Sequence, residues 1–113
     1  MINFNGAIVS GDSNLLTHNR SFLYGDAVFE TVKIVNSKIL FLEDHYFRLM
    51  SSMRIVRMEI PMNYTMEFFE EQILTLAKAK NLDASSRARI TVYRNDGVYY
   101  LPQNNSVSVL INV

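Results

Sequence analysis

A chain of 113 residues with 49% hydrophobic side chains is the size of one domain with one core, and folding at that length buries about two-thirds of the surface the unfolded chain exposes. Eleven basic and eleven acidic residues cancel, which disfavours the broad field that would gather nucleic acid or an anionic membrane. Cysteine is absent and the two histidines are far apart, so disulfides, thiolate metal sites and cysteine nucleophiles are excluded and no metal centre is expected.

The amino end carries no basic region followed by an apolar stretch, and no apolar run approaches the roughly 18 residues of a membrane span. The cytoplasm is therefore the expected compartment. Residues 2 to 9, INFNGAIV, hold two short apolar runs about Asn5-Gly6, the strongest short signal for a β-hairpin. Ser10 to Arg20 is rich in Gly, Ser, Asn and Asp and reads as a surface loop. From Ala27 to Val35 the run is β-branched and aromatic, and a strand period of two sets Phe29, Thr31 and Lys33 on one face. Val28, Val32 and Ile34 share the other face with Glu30. Asn36-Ser37 then turns the chain into a strand over Lys38 to Phe41.

Leu42, Tyr46, Leu49 and Met53 follow helical spacing, with Glu43 and Asp44 in the first turn where the helix dipole favours negative charge. Those two carboxylates diverge by about 100° on a helix and make a poor acid and base pair. After Pro61, Thr65 is placed to cap a second helix with the stripe Met66, Phe69, Ile73, Leu76 and Ala77, ending near Asn81. Ser86 to Tyr93 alternates Ala88, Ile90 and Val92 with Arg87, Arg89, Thr91 and Tyr93, a strand with one basic, polar face. Asp96-Gly97 is a turn, and Ser106 to Val113 is a last apolar strand. A chain that stops inside such a strand looks cut.

These elements predict an α+β domain: one antiparallel sheet with two helices packed on one face. Phe29, Thr31, Arg89 and Tyr93 belong to the other face, too polar for a core and too aromatic for plain solvent, which calls for a ligand, a second domain or another subunit. No nucleophile elbow, Walker loop or dinucleotide-binding glycine pattern is present.

The segment YGDAVFETVKI, followed after a hairpin by LEDHYFRL, resembles the amino-terminal domain of the class IV aminotransferases. These pyridoxal-phosphate enzymes of fold type IV include branched-chain and D-amino-acid aminotransferases and 4-amino-4-deoxychorismate lyase. The similarity extends from the opening hairpin to the strand RARITVYR and the following turn. It implies that residues 1–113 are the small domain of a two-domain homodimeric enzyme. The cofactor lysine, the glutamate that pairs with the pyridine nitrogen and much of the phosphate cup would lie in a larger domain that this chain lacks. Lys33, Lys38, Lys78 and Lys80 match none of those positions, so the resemblance implies no catalytic residue here and no transamination by the chain alone.

Residue by residue, Arg48 matches the arginine of the HxxRL helix that reaches the cofactor phosphate, a task suited to a planar guanidinium fork. Tyr24 and Phe29 match positions lining the substrate pocket, and Arg89 one near the substrate carboxylate of branched-chain enzymes. Glu30 and His45 match motif residues with an architectural role, while Arg54 and Arg57 read as solvated surface. The loop NDGVYYLP has Val98 to Tyr100 where D-amino-acid aminotransferases and the lyase carry a carboxylate-binding arginine, yet FETVK resembles those branches. The implied reaction is amino transfer from an amino acid, of the branched-chain kind or another, to a 2-keto acid. The alternatives are aminodeoxychorismate lyase and a non-catalytic dimerising or ligand-binding module of the same fold.

Overall fold

A computed structural model of the chain describes residues 1–10, 25–95 and 105–113. The loop expected from Ser10 to Arg20, Ser10 apart, lies outside the described residues, as do Tyr24, the Asp96-Gly97 turn and Val98 to Tyr100. The opening hairpin pairs β1 (Ile2–Phe4) with β2 (Ala7–Val9). Asn5 and Gly6 both take positive φ, 53° and 88°, the backbone a two-residue turn needs to match strand twist. Asn5 also binds β6 (Val107–Asn112) through backbone and side chain, its amide donating to the Val109 carbonyl and its Oδ1 accepting from Val109 N–H.

Strand β3 (Ala27–Val35) returns through Asn36 and Ser37, again with both φ values positive, into β4 (Lys38–Ile39). The strand expected to reach Phe41 stops two residues short. Phe41 takes φ 55° and stands as N-cap of α1 (Leu42–Ile55), and a left-handed residue cannot continue a strand. That cap contributes no side-chain hydrogen bond, so Glu43 and Asp44 supply the favourable charge at this helix start. Leu49 and Met53 are buried as expected, joined by Met50, while Leu42 and Tyr46 are half-buried.

Thr65 caps α2 (Met66–Ala79) by accepting from Phe68 N–H at 3.1 Å. Phe69, Ile73, Leu76 and Ala77 are buried, and Met66 is half-buried. Strand β5 (Ser85–Arg94) runs along β3 from Val35 opposite Ser85 to Ala27 opposite Tyr93. The sheet has the order β2-β1-β6-β5-β3-β4, and every neighbouring pair is antiparallel. Its core face presents Val32, Ile34, Ala88, Ile90, Val92, Val109 and Ile111 to both helices. The buried Asn3 on that face is satisfied by Gln72 of α2 and by the Gly6 amide. No helix among the described residues is long and apolar enough to cross a membrane.

Among the described residues, the opposite face is open. It carries Phe29, Thr31 and Lys33 of β3 and Arg87, Arg89 and Thr91 of β5, as the alternation predicts. Tyr93 departs from the expectation: at 5% exposed it is buried, with Ala27 and Ser108 directly across from it.

Candidate functional site

Adjacent residues of a strand point to opposite faces, so β3 sends Phe29 to the open side and Glu30 toward the helices. Glu30 is 6% exposed, and an ionised carboxylate so placed requires charged or hydrogen-bonding partners. Helix α1 supplies two, His45 and Arg48, one turn apart and therefore on one side of the helix. Arg48 Nε donates to Glu30 Oε2 and Nη2 to Oε1, both at 2.8 Å. His45 Nδ1 meets Oε1 at 2.6 Å. An ionised carboxylate only accepts, so His45 carries its hydrogen on Nδ1 and donates it to Glu30. Burial would raise the Glu30 pKa, but the hydrogen bonds from Arg48 and His45 outweigh it and hold the carboxyl below its ordinary range.

The two ends of this pair differ in exposure. The Glu30 side chain is 7% exposed and that of Arg48 is 67% exposed. With Nε and one N–H of Nη2 committed to Glu30, the guanidinium keeps the second N–H of Nη2 and both of Nη1, and Nη1 has no hydrogen-bond partner among the described residues. A charged fork anchored along one edge and open at its tip fits a phosphate oxygen. Arg48 thus fits the cofactor phosphate expected from the sequence, through the end of the guanidinium that faces away from Glu30.

On the open face, the Arg89 guanidinium lies 4.0 Å from the centre of the Phe29 ring, within cation–π range. Phe29 is 54% exposed, so the pair forms a surface with an apolar plate and a cationic rim. Of the expected site residues, the structure brings Phe29 and Arg89 together and sets Arg48 on the other side of the sheet. Tyr24 lies outside the described residues. The two clusters lie on opposite faces of the sheet and meet in the chain at consecutive β3 residues, Phe29 and Glu30. Among the described residues, β4 pairs with β3 only at Ile34 and Val35, so the edge of β3 over residues 27–32 has no strand beside it.

A family model described as amino-transferase class IV matches residues 27–113. The chain belongs to the class IV aminotransferases. It superposes on the branched-chain amino acid aminotransferase of Escherichia coli with a TM-score of 0.84 at 25% identity, covering 97% of this chain and 38% of that one. The T.th. branched-chain amino acid aminotransferase complexed with N-(5'-phosphopyridoxyl)-L-glutamate gives 0.82 at 26% identity, with 97% and 38% covered. The 4-amino-4-deoxychorismate lyase of Pseudomonas aeruginosa gives 0.75 at 23% identity, with 99% and 38% covered, a likeness of fold. The chain spans about two-fifths of the length of the solved structures it matches.

In this class IV aminotransferase chain one group went unassigned in the sequence. Arg94, the last residue of β5, is 4% exposed and donates Nε to Asp26 Oδ2 at 2.9 Å. It also donates to the Val56 and Arg57 carbonyls and to Asn105 Oδ1. The start of β3, the end of α1 and the approach to β6 are therefore tied to one buried cation. The signal was present: Arg94 falls on the apolar side of an alternating strand, after Ala88, Ile90 and Val92, where an arginine is buried only with partners.

Proposed function

We propose that this chain is the small amino-terminal domain of a pyridoxal-phosphate-dependent class IV aminotransferase that moves an amino group from a branched-chain amino acid to a 2-keto acid. The observation that carries the reading is Arg48, a guanidinium fixed by Glu30 along one edge and open at Nη1. Arg48 holds the cofactor phosphate. Phe29 and Arg89, on the opposite face of the sheet, form the substrate side: the ring packs on an apolar side chain and the guanidinium pairs with a carboxylate. By its match to the family motif, Tyr24 is assigned to the substrate side as well. The cofactor, when bound, supplies the electron sink on which the reaction depends. The lysine that carries it belongs to a second domain, and the working enzyme is a homodimer.

The likeness to two branched-chain enzymes, at 25% and 26% identity, supports this substrate class over the lyase, whose likeness is one of fold. Cofactor titration of the full-length protein tests the phosphate role. Arg48→Ala is expected to weaken pyridoxal phosphate binding by roughly tenfold or more, the scale of a lost charge-assisted hydrogen bond. An affinity equal to wild type defeats that role. A screen of branched-chain, aromatic and D-amino donors, with aminodeoxychorismate as control, decides the substrate.

A further inference from the structure

Glu30 lies too deep to touch a ligand, yet both its oxygens are engaged with the one residue proposed to hold the phosphate. We propose that Glu30 is a positioning residue: it aims the Arg48 guanidinium so that its far end, Nη1 and the second N–H of Nη2, is presented to the phosphate. The inference rests on the reading of Arg48 as the phosphate ligand. Its geometric basis is the two-point contact. One hydrogen bond leaves a guanidinium free to swing, whereas two parallel bonds, from Nε and from Nη2, fix both its plane and its direction.

Exposure makes such a device necessary. An arginine side chain carries more rotamer entropy than most, and one that is two-thirds exposed would lose it on meeting an anion. Glu30 removes that freedom before the ligand arrives. The carboxylate is itself held from a second direction, because His45 donates Nδ1–H to Oε1 at 2.6 Å. His45 and Arg48 ride on the same helix, so Glu30 also locks the rotation of α1 against β3. Lysine could neutralise Glu30 but has one nitrogen on a flexible stem, and it cannot grip the carboxylate along one edge while offering another donor to phosphate.

The test compares pyridoxal phosphate with pyridoxal, which lacks the phosphate, in the full-length protein. Binding of each is followed by the cofactor's absorbance, and thermal melting verifies the fold. Glu30→Gln keeps the size of the side chain and removes its charge. It is expected to lower pyridoxal phosphate affinity about tenfold with pyridoxal affinity unchanged, so that the ratio of the two falls. A purely architectural Glu30 would move both affinities together or neither, and that result overturns the proposal.

Arg48→Lys, at an exposed position, serves as the second variant and does not disturb the core. Its ratio should fall as far as that of Glu30→Gln; a wild-type ratio would show that charge without aim suffices and would also overturn the proposal. Arg48→Ala separates the two levels. If it leaves the ratio intact, the phosphate reading itself fails. If it collapses the ratio while Glu30→Gln does not, the positioning role alone fails.

Discussion

Glu30 is the residue whose environment has the clearest consequence in solution. Its carboxyl titrates below the ordinary value of 4.5 because Arg48 and His45 donate to it, against the opposing effect of burial. A depressed folded-state pKa gives stability that is fully present above about pH 4.5 and is lost as pH falls through the lower folded value. Glu30→Gln removes that component, so the acid limb of its stability profile should be shallower than wild type. Thermal melts between about pH 2 and pH 6 measure this, and parallel curves for the two proteins would contradict the assignment. Phe29 shows the opposite situation: a large ring left 54% exposed under a guanidinium, where solvent is a poor partner and a ligand or neighbouring surface a better one.

Among the elements, the two helices begin differently, and mutation should expose the difference. Helix α2 starts on Thr65, whose hydroxyl accepts from Phe68 N–H, so Thr65→Ala should cost about 1 kcal/mol in urea unfolding. A midpoint equal to wild type would show the cap to be idle. Helix α1 starts on Phe41 with no side-chain cap and relies on first-turn charge and on the Glu30 contacts. Its far end is anchored by the buried Arg94, which donates to the Val56 and Arg57 carbonyls and to Asp26. Arg94→Ala leaves a half-buried carboxylate and two carbonyls without that donor, and should cost about 3–5 kcal/mol, the range for breaking a buried ion pair. A loss under about 1 kcal/mol, the range of surface pairs, would mean that the latch is not needed.

At the scale of the whole molecule, the cancelling charges are unevenly spread. The open face carries Lys33, Lys38, Arg87 and Arg89, and none of its described residues is acidic. The helices hold Glu43, Asp44, Glu67, Glu70 and Glu71 against Arg48, Arg54 and Lys78. Zero net charge therefore describes the sum and not the surface. Lys33 stands directly across from Arg87, and like charges opposed on a sheet destabilise it. Arg87→Glu should raise the stability of the isolated chain by about 0.2–1 kcal/mol at low salt, and the gain should shrink as salt screens the pair. Melting temperatures that are unchanged at low salt would show that the two side chains already avoid each other. Exposed Phe41, Phe47, Ile55 and Met62 add apolar surface at the helix side, so neither side of the domain is finished by solvent alone.

Periodicity and turn chemistry were enough to read the local level. Asn5-Gly6 and Asn36-Ser37 turn as expected, β3 and, Tyr93 apart, β5 expose the expected alternating faces, and Thr65 caps α2. Such features depend on residues only a few positions apart, and a sequence lists those neighbours directly. The paired motifs pointed to the family in the same way. The joining of Glu30 to Arg48 across 18 residues and of Asp26 to Arg94 across 68 was decided only by the tertiary structure. The sequence marked Glu30 as a charge on an apolar face, which demands partners without naming them, and left Arg94 unassigned. Burial makes an unpaired charge costly, and only the fold determines which side chain is near enough to answer it.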